Sequence, residues 1–232
     1  MRCIAKFFLI ISVFLVGCGG GGANSKALHE LFDACEPTVR QIESAIKKGA
    51  DVNAHDQNDF SVLAKALSGC KKEEVISALL KAGADVKDKV VIKTNKGALK
   101  YSILMWAAEK NQTPEIITAL LKAGADANVQ EEVFGATALM LAAATTESPE
   151  VIKAFWVGGA DVNLRSPKTG STPLMLAAAA NKNPKIITAL LNAGAKARVT
   201  DKLGNTALDY AKKNRAILDT PAYDKLKEAM TK

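Results

Sequence analysis

Along most of the chain short apolar runs alternate with polar punctuation, and the apolar residues fall three to four apart, as in Ile116-Ile117 followed by Leu120-Leu121. That spacing gathers them on one face of a helix. Two kinds of helix alternate. The first opens on a hydroxyl: Ser61-Val-Leu, Ser102-Ile-Leu-Met, Thr137-Ala-Leu-Met, Thr172-Pro-Leu-Met and Thr206-Ala-Leu-Asp. A hydroxyl there accepts a hydrogen bond from a first-turn N–H. The small residues that follow, as in Leu176-Ala-Ala-Ala-Ala180, let neighbouring helices approach closely. Thr113-Pro114, Ser148-Pro149 and Asn183-Pro184 announce the second kind, each an N-cap with proline at the first helical position. It ends at Gly83, Gly124, Gly159 and Gly194, where a left-handed residue closes the helix.

This pattern is a repeat. Gly-Ala-Asp or a near copy stands at Gly49, Gly83, Gly124, Gly159 and Gly194, at spacings of 34, 41, 35 and 35, and the last four glycines each follow a Ser or Thr opening by 22 residues. One helix pair cannot bury its own apolar face, so such units stack into a continuous core with solvated caps at both ends. The expected units are 27–54, 55–87, 88–128, 129–163, 164–198 and 199–232, the first atypical, with Pro37 near the start of its second helix. Lys212, Lys213, Arg215, Lys225 and Lys227 make the last unit either a solvated cap or a basic patch.

The Thr172-Pro-Leu-Met opening and Gly159-Ala-Asp-Val-Asn close resemble the ankyrin-repeat family, whose opening reads Thr-Pro-Leu-His. The resemblance covers residues 27–232. It implies an all-α solenoid of about six helix-turn-helix units with β-hairpin fingers, and a protein partner bound along the concave side by the fingers and first helices. Two departures stand out. Ala64, Met105, Met140, Met175 and Asp209 replace the opening His, which puts the family's His-mediated bonds between repeats in doubt. The turn between the helices is also one residue longer than usual.

Matching the finger positions one by one, Phe60 and Tyr101 stand just before their openings, and Leu99, Phe134, Lys168 and Lys202 near the finger tips. Phe60, Leu99, Tyr101 and Phe134 are expected to form an apolar stripe across neighbouring fingers, either as interface anchors or packed on one another. One finger is longer: 19 residues separate Gly83 from Ser102, against 12 or 13 elsewhere. Val90 and Ile92, then Leu99 and Tyr101, alternate with other residues around Thr94-Asn95-Lys96-Gly97, which predicts an extended hairpin.

The first segment does not share the repeat. Arg2 and Lys6 precede an apolar run over residues 7–16, too short to span a bilayer and suited to a signal peptide over 1–17. Leu15-Val16-Gly17-Cys18 resembles the lipobox of bacterial lipoproteins, in which the cysteine is acylated and becomes the first mature residue. A plain secretory signal or an uncleaved anchor is the alternative. Residues 18–26, with Gly19 to Gly22, read as a flexible tether. Gly19, where Asp often marks inner-membrane retention in that family, favours the outer membrane if there are two. Without residues 1–17 the net charge falls from +7 to +5, split as −3 over 18–163 and +8 over 164–232. Export argues against nucleic acid as the partner of that basic end, leaving an acidic protein, anionic lipid or plain solubility.

Little in the chain suggests catalysis. There are two histidines; His29 with Asp33 is a lone i,i+4 pair of the kind common on helix surfaces. No phosphate-binding glycine loop follows a strand, and no nucleophile has a base partner. Trp106 and Trp156 fall inside helices and read as core or half-buried. The expectation is a non-enzyme without cofactor, metal or small-molecule substrate: an envelope-anchored adaptor or scaffold, or an inhibitor or immunity-type protein blocking an enzyme, or a structural envelope component. Cys35 and Cys70 stand 14 and 13 residues before their repeat glycines, near the same turn of adjacent units. In an oxidising compartment they either form a disulfide, if the turns lean to within about 7 Å, or remain two buried thiols.

Overall fold

A computed structural model describes residues 23–33, 37–94, 97–110 and 113–231. The expected signal peptide, Cys18 and Cys35 lie outside the described residues. Twelve helices and one hairpin follow in order: α1 Ala23–Asp33, α2 Val39–Lys47, α3 Val62–Gly69, α4 Glu73–Lys81, β1 Lys89–Thr94, β2 Gly97–Ser102, α5 Ile103–Glu109, α6 Pro114–Lys122, α7 Ala138–Thr145, α8 Pro149–Val157, α9 Pro173–Ala180, α10 Lys185–Asn192, α11 Ala207–Ala211 and α12 Pro221–Ala229. Ala23–Lys26, expected in the tether, are helical and open α1.

The helices form two layers. α1, α3, α5, α7, α9 and α11 pack side by side as an inner row, and α2, α4, α6, α8, α10 and α12 as an outer row. The hydroxyls that open the inner helices act as expected. Ser61, Ser102, Thr137, Thr172 and Thr206 each accept from the N–H three residues on. The residues that replace the motif's His supply that N–H, and Asp209 completes a capping box. Three outer helices, α6, α8 and α10, depart from the expected caps. Thr113 and Ser148 make no side-chain cap bond; the Ser148 hydroxyl donates to Glu150 instead. α10 begins at Lys185, whose N–H donates to Asn183 Oδ1.

Between the rows lies one apolar core. The Ala and Leu residues of α7 are buried on every side, which only small side chains permit at this helix spacing. Leu139, Ile152 and Phe155 are fully buried, each worth roughly 1.5–3 kcal/mol in transfer terms. The five repeat glycines have φ between 88° and 93°, a region closed to most L-residues.

A ladder of asparagines ties successive units at the root of the fingers. Asn53 donates to the Gly83 carbonyl and accepts from Asp85 N–H. Asn128 does the same with Gly159 and Asp161, and Asn163 with Gly194 and Lys196. Lys87 occupies this place in the remaining unit of the run. Asn128→Ala should lower stability by about 1–2 kcal/mol, the net worth of two exposed hydrogen bonds. Lys87→Asn should raise it by up to about 1 kcal/mol by completing the rung toward Gly124 and Asp126. Urea unfolding midpoints at unchanged slope would read both, and a lower midpoint for Lys87→Asn would mean this junction has a different geometry.

The long finger is the predicted hairpin. β1 and β2 pair antiparallel from Lys89↔Ser102 to Thr94↔Gly97. Paired residues share a face. Val90, Ile92, Leu99 and Tyr101 therefore face one way, toward α5, while Lys89, Lys93 and Lys100 are exposed on the other.

Candidate partner-binding surface

Each short finger is organised by a polar side chain seven residues after its repeat glycine. Asp56 accepts from the N–H groups of Asn58 and Phe60, and Asp201 from those of Leu203 and Asn205. The Ser166 hydroxyl takes the N–H groups of Lys168 and Thr169. Glu131 is buried and accepts three, from Val133, Phe134 and Ala136. Neighbouring fingers are then cross-linked. Gln130 Nε2 donates to the Arg165 carbonyl at 2.9 Å, Arg165 Nη2 to Thr200 at 2.6 Å, and Ser166 Oγ to Phe134 at 2.6 Å. A Cβ on Gly135 would stand 2.4 Å from Pro167 Cδ of the next finger. The row is a preorganised surface.

Its apolar points differ in part from those expected. Tyr101 is buried, because the strand alternation that pairs it with Val90 turns both against the core; it is not an exposed anchor, and burial pushes its phenol well above the usual range. Phe60 and Leu99 are half-buried on the core, Phe60 edge-on to Trp106 with ring centroids 5.4 Å apart. Phe134 is half-buried. Lys168 and Lys202 are exposed, and Lys202 Nζ donates to the Pro167 carbonyl at 2.6 Å. The exposed tips are instead Val133, 47% accessible, and Leu203, 81% accessible. Each adjoins in sequence a finger position expected near the tip, Phe134 or Lys202, and only the turn geometry tells which member of each pair faces outward.

On the inner-helix side Trp106 is buried and its Nε1 donates to Ala64 O and Ser68 Oγ of the preceding unit. Lys110 Nζ lies 4.1 Å from the Trp106 ring centroid, a cation–π contact; burial lowers the Lys110 pKa and raises that of Glu109 beside it. Of the two places expected for it, core or half-buried, Trp156 does not take the core. Phe155 takes the inward position of α8, and Trp156 faces out at 48% accessible.

The remaining titratable groups are held in local contacts. His29 is buried with Nε2 on the Ala54 carbonyl at 3.1 Å, and burial holds its imidazole below the ordinary value. Cys70 is a buried free thiol that accepts from Lys72 N–H. Lys212 pairs with Asp209 at 3.2 Å, and Lys225 donates to Asn192. Hydrogen bonds from Thr206 hold the Asp209 carboxyl down to about 2. Among the described residues no cluster of His, Cys, Asp and Glu could hold a metal, and no helix is long and apolar enough to cross a membrane. An open groove of about 610 Å³ between α4 and α6 is lined by Leu80, Lys81, Thr118 and Lys122 among others.

The family model for ankyrin repeats (3 copies) matches residues 31–131, 104–201 and 139–220. No curated protein matches the chain. With paired helices in two rows, glycine-closed outer helices and fingers at each junction, all under a match that spans most of its length, the chain belongs to the ankyrin-repeat family.

Proposed function

We propose that the chain is an envelope-anchored binding protein, held by an acylated Cys18 at a bacterial membrane surface, the outer one where there are two. Ankyrin repeats are protein-interaction modules, and the partner here is a protein engaged by the finger tips and the concave face. The observation that carries this reading is the tip pair Val133 and Leu203, apolar and exposed on fingers that are rigidly cross-linked. Rigid exposed apolar side chains bind with little ordering entropy lost.

Val133→Asp with Leu203→Asp should weaken binding at least tenfold to a protein captured from envelope extracts by the mature chain, with an unchanged helical circular-dichroism signal. Undiminished affinity of that double variant would move the site to the basic face of the hairpin or to the last unit.

A further inference from the structure

The outer layer carries two parallel lines that the concave site does not use. Two residues before each repeat glycine stand Lys47, Lys81, Lys122, Val157 and Asn192, all exposed. The residues just before them are Ile46, Leu80, Leu121, Trp156 and Leu191, half-buried except for Trp156. Because α2, α4, α6, α8 and α10 stack side by side, equivalent positions trace a basic line beside an apolar one. Lysine at a helix C-terminus suits the helix dipole, and that alone accounts for the basic line. It does not account for α8. There the line becomes Trp156 and Val157, 48% and 72% accessible, two of the most exposed apolar side chains among the described residues. Gly158 stands where the other outer helices have Ala or Lys, and a Cβ there would meet Leu121 Cδ1 at 2.4 Å, so Leu121 extends the apolar patch toward the preceding unit.

We propose that this edge of the outer layer docks on an anionic phospholipid surface, with Trp156 and Val157 inserted at the headgroup level and Lys81 and Lys122 against the phosphates. Two features of the chain select that occupant. Neither lysine pairs with a carboxylate among the described residues, which leaves both charges for an anionic surface. Inner and outer helices run in opposite directions, so the outer helices end at the same end of the layers where α1 begins. Cys18 lies five residues before Ala23, at most about 18 Å of extended chain. An anchor at Cys18 therefore brings this end to the bilayer, and docking by the outer layer turns the concave face away from it. The inference builds on the anchoring reading for orientation, but its test does not require acylation.

The test uses the mature chain carrying Cys18→Ser, with no lipid of its own. With Trp106→Phe added, Trp156 is the single tryptophan of a chain that otherwise has two, read by excitation at the red edge where tyrosine does not absorb; the parent with both reports the same shift over a constant Trp106 signal. Phosphatidylcholine vesicles containing phosphatidylglycerol should pellet the protein and blue-shift Trp156, whereas phosphatidylcholine alone should do neither. Lys81→Gln with Lys122→Gln should weaken binding about 25-fold, fivefold per lysine. Trp156→Ser with Val157→Ser should weaken it about tenfold or more. Salt near 1 M should release the protein. Absence of pelleting on the anionic vesicles overturns the proposal. So does loss of binding with Lys93→Gln and Lys100→Gln but not with the outer-layer variants, since the hairpin would then be the basic surface in use. A blue shift that follows protein concentration without vesicles assigns the patch to a second copy and also overturns it. Failure of Cys18 acylation in cells would leave all of these readings unchanged.

Discussion

Glu131→Ala should lower the stability of the array by about 3 kcal/mol, as three backbone N–H groups lose their acceptor at once. The carboxylate is buried and takes the N–H groups of Val133, Phe134 and Ala136, and the last of these residues is itself buried. Water reaches the finger tip, so the loss is less than three full desolvation penalties. Glu131→Gln keeps one acceptor oxygen and should fall about midway. Urea unfolding gives the global figure. Hydrogen exchange over residues 131–136 should show the finger opening before the helices do. A global loss below about 1 kcal/mol for Glu131→Ala would mean that solvent replaces the carboxylate and that the finger is not internally braced.

The regular part of this molecule could be read in advance. Repeating glycines and Ser or Thr openings fix where each helix starts and stops, and those caps form as expected. The surface was harder, for two local reasons. Tyr101 precedes its opening just as Phe60 does, yet it sits in a paired strand whose alternation buries it. In α8 the adjacent Phe155 and Trp156 are both apolar, so helical periodicity alone did not say which one would face solvent. Glu131 shares its place, seven residues after a repeat glycine, with Asp56, Ser166 and Asp201, but that spacing does not show how many N–H groups it takes. Its role depends on a turn that places three N–H groups around it.

Cys18→Ser should move the protein from the membrane fraction to the soluble one. Acyl chains contribute roughly 0.8 kcal/mol per buried methylene, so two or more chains hold a protein far more tightly than any surface patch of this size. The variant should keep only a weak, salt-sensitive association with anionic membranes. Fractionation in detergent, with and without high salt, separates the two contributions. If processed Cys18→Ser protein stays membrane-bound in high salt, acylation of this cysteine is not what holds it there.

The junction between the second and third units lacks one of the regular ties. The asparagine rung is missing at Lys87, while Trp106 Nε1 still donates across to Ala64 and Ser68 at 2.9 and 3.0 Å. The open groove between α4 and α6 lies at the same junction, on the opposite side of the layers. The outer helices α4 and α6 pack beside one another here as at the other junctions, so the missing rung and the groove change only the finger root and the outer surface. Any change of angle at this junction would alter the radius of the concave face next to the longest finger and carry the remaining four units with it.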